Sequence, residues 1–400
     1  MLTNPFHHAR YIIDKIEEHG HQAYFVGGCV RDLLLNNDIK DIDIATSAKP
    51  ELIQDIFDKV IPVGIEHGTV IVHHQGISYE VTTFRLDGSY SDERHPDSVQ
   101  FIDRIDEDLA RRDFTMNALA MDKHGKIIDL YGGKRDLQAH IIRTVGDGVK
   151  RFKEDPLRII RALRFTSQLG FSIETDTLKA MKTLKAKIEH LAVERLYQEM
   201  ERFFAGKYVD KGMYYLKDLN IHQYLPVFKS HPHIVYQFPQ PVMPLNSFAE
   251  VITVLHLLEP EISVQSWVKG WKASNQIKRK ANLLVDTILQ YKKNGLDRWL
   301  VYQLPAQYDE AFLRIIHYIL GDQIIDTNTI HLIREELAIH SKKELAVNGH
   351  DILKMFPNKK AGPWVQRLLN QIERLIVTEQ LKNHKEKIKE WIKCNPPGIN

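Results

Sequence analysis

Residues 40–46, KDIDIAT, constrain the fold more tightly than any other stretch of this 400-residue chain. Isoleucines alternate with two aspartates. Successive strand side chains point to opposite faces, so Asp41 and Asp43 share one face and Ile42 and Ile44 the other. Like charges side by side on a strand destabilise it unless something positive lies between them. The pattern predicts a strand whose acidic face borders a cation.

The flanking residues read as a mixed α/β domain over about 1–150. Residues 1–19 have helical periodicity, with Ala9, Tyr11, Ile12, Ile13 and Ile16 among the apolar positions. QAYFVGG (22–28) is a short strand ending at a glycine pair, and CVRDLLL (29–35) opens a helix. KPELIQDIFDKV is a helix with Pro50 in its first turn. HGTVIVHHQGISYEVTTF reads as paired strands turning near Gly76. DGSYSDERHPDS (87–98) is a polar loop, RRDFTMNALAMD (111–122) starts another helix, and KIIDLYGGKRDL supplies a strand and a turn.

Beyond residue 150 the strand signals fade. EDPLRIIRALRFTSQLG, ETDTLKAMKTLKAKIEHL, AVERLYQEMERFFAG, SNQIKRKANLLVDTILQYKK and AGPWVQRLLNQIERLIVTEQ are all helical in period. SHPHIVYQFPQPVMPLNS is a proline-rich connector. The expected architecture is an α/β head followed by a long all-α remainder. At 400 residues the chain suits two to four domains. No run of 18 apolar residues is present, so no membrane-spanning helix is expected. Two cysteines at opposite ends, Cys29 and Cys394, fit a reducing cytoplasm rather than a disulfide framework. A net charge of +2 names no partner, so a nucleic-acid surface would have to be a local patch.

Three features of the head combine. Gly27 and Gly28 lie between a strand and a helix, where backbone amides and a helix N-terminus suit phosphate. Arg31 adds a guanidinium fork matched to phosphate oxygens. Asp41, Asp43 and, on the later strand, Glu80 offer three carboxylates. Alone, each has an ordinary explanation: a turn, a solvated strand face, an exposed strand residue. Together they are what Mg²⁺-dependent nucleotidyl transfer needs, because magnesium takes few protein ligands and fills the rest with water and phosphate.

GGCVRD and DIDIAT, in this order, resemble the signature of the nucleotidyltransferase superfamily, in the branch of class II tRNA nucleotidyltransferases and bacterial poly(A) polymerases. RRDFTMNALA (111–120), EDPLRIIRALRF (154–165) and ERLYQE (194–199) resemble that branch too, and in its order, whereas the second half of the chain is only loosely similar. The resemblance implies a nucleotidyltransferase head (1–150), a neck that recognises the base (151–210), a body (211–300) and a tail along tRNA (301–400). It implies Mg²⁺ on Asp41 and Asp43, a cytoplasmic enzyme and a homodimer. The implied reaction builds or repairs the 3′-terminal CCA of tRNA from CTP and ATP. The alternatives are a poly(A) polymerase, which commonly carries a longer basic tail, a partial CC- or A-adding enzyme, and a non-catalytic tRNA-binding protein.

Within the resemblance, Arg112 is expected to contact the nucleotide and Asn117 the ribose. Glu80 would help deprotonate the attacking 3′-hydroxyl. The 87–96 loop would act as a lever for the final A. Asp155 and Arg158 would read the base: cytosine and adenine both present an amino donor beside a ring-nitrogen acceptor, and a carboxylate with an arginine complements both. Arg161 and Arg164, following at steps of three, would orient that pair and hold phosphate. ERLYQE would be chiefly structural, with Glu194–Gln198 and Arg195–Glu199 supporting a helix at four-residue spacing. Lys278, Arg279 and Lys280 are candidate phosphate contacts to the acceptor arm. His350–Asp351 lacks the partners of a metal phosphohydrolase and reads as a helix start, and the 20 histidines show no metal-ligand spacing.

Overall fold

The computed structural model describes residues 4–88, 99–321 and 324–396. The chain forms two compact units, 1–244 with 270–272, and 245–269 with 273–400. The expected lever loop falls almost wholly outside the described residues.

The first unit opens with α1 (Asn4–Glu18), β1 (Ala23–Val26), α2 (Gly28–Leu34), β2 (Asp43–Thr46) and α3 (Pro50–Ile56). Strands β3 (Val60–Gly64), β4 (Thr69–His74) and β5 (Ile77–Thr83) follow, then the pair β6 (Arg85–Asp87) and β7 (Val99–Phe101). Next come α4 (Ile105–Ala110), β8 (Leu119–Met121), β9 (Ile127–Asp129), α5 (Gly133–Gln138) and β10 (Ile141–Ile142). Among the described residues seven strands form one mixed sheet, ordered β3-β4-β5-β2-β1-β8-β9, with only β2 and β5 parallel.

The register explains the alternating sequence. On one face Phe25, Ile44, Val81 and Val70 line up across β1, β2, β5 and β4, all buried, and Phe6 of α1 packs edge-on against Phe25. On the other, one row crosses the whole sheet: Ile128, Ala120, Val26, Asp43, Glu80, Ile71, Ile61. Its first three residues lie in an apolar cluster with Leu109 of α4 and Val145. The row then turns acidic at Asp43 and Glu80. Strand β2 starts at Asp43, so Asp41 lies just before it, exposed, while Ile42 stays buried and the expected alternation is kept.

Two expectations are corrected. The helix predicted to begin at Arg111 does not form: α4 ends at Ala110, a single 3-10 turn spans Thr115–Asn117, and β8 follows. Phe114, Met116, Ala118 and Ala120 are fully buried, and Thr115 N and Val145 N bond to Arg143 O and Asp113 O, so tertiary backbone partners replace helical ones. The sequence reading also carried α3 through Lys59–Val60, where the chain leaves the helix at Phe57 and enters β3.

The rest of the first unit is nearly all helical: α6 (Gly148–Glu154), α7 (Leu157–Leu169), α8 (Thr175–Leu184), α9 (Val193–Phe204) and α10 (Val209–Asp218), with short β11 (Ser172–Ile173) pairing parallel to β10. The second unit holds α11 (Phe248–Leu258), α12 (Val264–Gly270), α13 (Asn275–Asn294), α14 (Arg298–Gln303), α15 (Asp309–Leu320), α16 (Thr327–Glu335), α17 (Gly349–Met355), α18 (Pro363–Val377) and α19 (Lys385–Cys394). Ile352, Leu368, Ile372, Ile376, Ile388 and Ile392 form a core across α17, α18 and α19. Asn348 and Asp351 make a reciprocal capping box, so His350–Asp351 is a helix start as expected. No helix is long and apolar enough to cross a membrane among the described residues.

Candidate active site

Asp43 opens β2 with Glu80 as its direct partner on β5 and Val26 on β1. Burial and the Glu80 charge push the Asp43 carboxyl up to about 6, against the pull of Arg112 and Arg31 and with a further push from Asp41. The carboxylates therefore act on one another electrostatically, at the boundary between acidic and basic groups.

The basic side is built on β1, α2 and the 111–117 segment. Gly27 has φ +70°, and a Cβ there would lie 2.9 Å from Arg112 Nη1, so glycine meets both a left-handed backbone and a close guanidinium. Gly28 is the first residue of α2. Arg31 donates from Nη1 to Asn117 Oδ1 (2.8 Å) and pairs with Asp32 (2.8 Å). Arg112 pairs with Asp108 at 3.2 Å, beside Arg111 at 2.7 Å on the same carboxylate. Behind the glycine pair, the buried Cys29 thiol donates to Val26 O (3.2 Å), and burial pushes its pKa up to about 12: it packs and does not react.

A polar chain runs from this segment into α7 and α9. Asn117 Nδ2 donates to Asp113 Oδ1 (3.1 Å), Arg161 donates to Asp113 Oδ2 (2.8 Å), and Glu199 meets Arg161 at 3.5 Å and Arg164 at 2.7 Å. Arg31, Arg161 and Arg164 lie over the Phe165 ring at 5.2, 5.5 and 4.1 Å. Burial opposes ionisation of Asp113, but Arg161, Asn117 and Arg158 hold its carboxyl well below the usual range. Burial and the neighbouring Arg161 push Arg164 down to about 10.

The two expected base readers are each fixed by protein groups. Asp155 accepts from Leu157 N (3.0 Å) and from Arg195 Nη2 (2.8 Å). The buried Arg158 donates to Glu154 Oε2 (2.9 Å) and to the carbonyls of Arg151 (3.2 Å) and Arg111 (3.0 Å). Sequence reasoning placed Arg195 with Glu199 and Glu194 with Gln198. Instead Arg195 bonds Asp155 and Glu194 bonds Lys272 (2.9 Å). Four-residue spacing gave no sign of these long-range partners. In the second unit Arg279 is exposed and Lys278 half-buried, while Lys280 donates to Ser247 (2.9 Å) and sits over Tyr308.

Among the described residues no three His, Cys, Asp or Glu side chains converge as a complete metal cage. The donor set fits a cation that needs less: two carboxylates, Asp43 at the start of β2 with a raised pKa and Asp41 just before it, leave the remaining positions to water and phosphate oxygens, as magnesium prefers.

Three family descriptions match successive parts of the chain: "Poly A polymerase head domain" over 23–143, "Probable RNA and SrmB- binding site of polymerase A" over 170–231, and "tRNA nucleotidyltransferase domain 2 putative" over 245–392. The chain is 46% identical to the CCA-adding enzyme of Oceanobacillus iheyensis and 41% to that of Anoxybacillus flavithermus, each covering 100% of both proteins. The crystal structure of Bacillus stearothermophilus CCA-adding enzyme in complex with CTP superposes with a TM-score of 0.87 at 36% identity, over 98% of each chain. With this likeness running end to end over a carboxylate strand facing a glycine turn, the chain belongs to the family of CCA-adding enzymes, tRNA nucleotidyltransferases.

Proposed function

We infer that this enzyme adds and repairs the 3′-terminal CCA of tRNA from CTP and ATP without a nucleic-acid template. The observation that carries the reading is the register of Asp43 against Glu80, with Gly27, Arg31 and Arg112 on the opposite side of the same strand end. In each addition the tRNA 3′-oxygen forms a bond to the α-phosphorus of the nucleotide. The bond from that phosphorus to the bridging oxygen breaks, and pyrophosphate leaves with the electron pair. The backbone at Gly27 and Gly28, with Arg31 and Arg112, holds the triphosphate. Asp41 and Asp43 would hold Mg²⁺, which when bound neutralises phosphate charge and activates the hydroxyl. Glu80 stands where it can take up the hydroxyl proton, directly or through water.

Asp155 accepts from the amino group of cytosine or adenine, and Arg158 donates to the adjacent ring nitrogen. Uracil and guanine present the reverse pattern, setting a carbonyl oxygen against the Asp155 carboxylate and an N–H against the Arg158 guanidinium. Arg195, Arg161 and Arg164 orient this pair. The family likeness supports a division into head, neck, body and tail, here taken as 1–150, 151–210, 211–300 and 301–400, with the body reaching tRNA through Lys278, Arg279 and Lys280 and the tail lying along it. The likeness to bacterial CCA-adding enzymes supports a cytoplasmic location.

The test is incubation with tRNA lacking its last three nucleotides and labelled nucleotides singly and together. Addition of C, C and A followed by a stop is expected. Long A tracts would instead mark a poly(A) polymerase, a stop at CC or at A a partial enzyme, and no incorporation a binding protein.

A further inference from the structure

The row of residues that carries the carboxylates does not end at Glu80. It continues through Ile71 on β4 to Ile61 on the edge strand β3. Ile61 is 46% exposed and Val63, at the bulge that follows, 60%. Two positions along, and so on the same face, His73 N donates to Lys59 O (2.9 Å), which places the exposed Lys59 beside His73, whose ring bonds Ser78 (2.8 Å). The opposite end of the row is closed by the apolar cluster under α4, so this end is the open part of the same face. An edge strand with bare apolar side chains invites pairing with another strand, but Pro62 and the bulge blunt β3 against that. What remains available is the face, not the edge.

Reaction geometry decides what the face receives. In-line displacement puts the attacking oxygen opposite the leaving pyrophosphate. The phosphate-holding groups Gly27, Arg31 and Arg112 lie on the β1 side of Asp43, so the attacking hydroxyl must come from the β5 side. We propose that Ile61 and Ile71 form the seat for the 3′-terminal nucleoside of the RNA being extended, with Lys59 at its 5′-phosphate. This rests on the nucleotidyl-transfer reading above. Aliphatic side chains offer no hydrogen bonds and so tolerate any base, as the seat must, since the terminal nucleotide changes with each addition.

The test compares wild type with Ile61→Ser and Ile71→Thr on tRNA lacking CCA. KM for tRNA is expected to rise about fivefold in each, the loss from one partly buried aliphatic side chain, with KM for CTP and CTP binding without tRNA unchanged. Ile61→Val should restore the wild-type value, and Lys59→Glu should raise KM for tRNA further at low salt. A tRNA ending in 4-thiouridine should photo-crosslink within residues 59–73. An unchanged KM for tRNA, an equal loss of CTP affinity, or crosslinks confined to residues 26–34 would overturn the seat. If wild type adds nothing to this tRNA, the reaction itself is misread and the seat falls with it; normal wild-type addition with unaffected variants sinks the seat alone.

Discussion

Asp43 carries two opposed demands. Burial and Glu80 make its charged form unfavourable, yet the chemistry needs a carboxylate there. Replacing it by alanine should abolish addition of C and A alike, by about 10³-fold or more if several kcal/mol of charge stabilisation is lost. The same change relieves repulsion, so Tm should hold or rise; a wild-type turnover rate in Asp43→Ala, measured with Mg²⁺, would remove the aspartate from the site. Glu80→Gln should lower the single-turnover rate by about 10² to 10⁴ with tRNA affinity kept. Asp155 is held by Arg195, and hydrogen-bonding sites of this kind discriminate by about 10⁴. Arg195→Ala should therefore admit UTP or GTP while leaving CTP incorporation measurable. Uniform loss with unchanged selection would assign Arg195 to fold maintenance alone.

At the scale of elements, legibility followed how local the cause was. The β1 turn at Gly27, the β2 alternation and the β4–β5 hairpin depend on neighbours a few residues away, and all could be read from the chain. The 111–122 segment could not, because its helical spacing is overridden by backbone bonds to 143–145 and by complete burial of Phe114 and Met116. β3 was missed since VIPVG carries a proline and an exposed face. The arginine spacing of α7 was visible, whereas its carboxylate partners at Asp113 and Glu199 are separated by 48 and 38 residues from Arg161. That network ties α7 to the 111–117 segment and has a pH signature. Asp113 is depressed in the folded state, so its contribution is full above the ordinary carboxylate pKa of about 3.9 and fades as pH falls through the lower folded value. The Tm gap between wild type and Asp113→Asn should be widest near neutrality and shrink below about pH 4. A gap constant with pH would place the loss in packing, not charge.

For the whole molecule, a net charge of +2 means that RNA affinity must come from local basic groups. Lys280 is occupied within the second unit, which leaves Lys278 and Arg279 as the more available pair of α13. Changing both to glutamine should weaken tRNA binding and flatten its dependence on salt by about one logarithmic unit per lost phosphate contact, with CTP affinity unchanged. An unaltered salt slope would show that α13 does not touch the phosphate backbone.

The buried thiol behind the glycine turn has a practical consequence. Cys29 stays protonated and inaccessible, while Cys394 is exposed near the far end of the chain. Maleimide at neutral pH should therefore modify one position of the unaltered protein, Cys394, and leave nucleotide addition intact, as peptide mass mapping and an activity assay would show. The native enzyme thus carries its own single attachment point for a dye, through which tRNA arrival could be timed without engineering a cysteine.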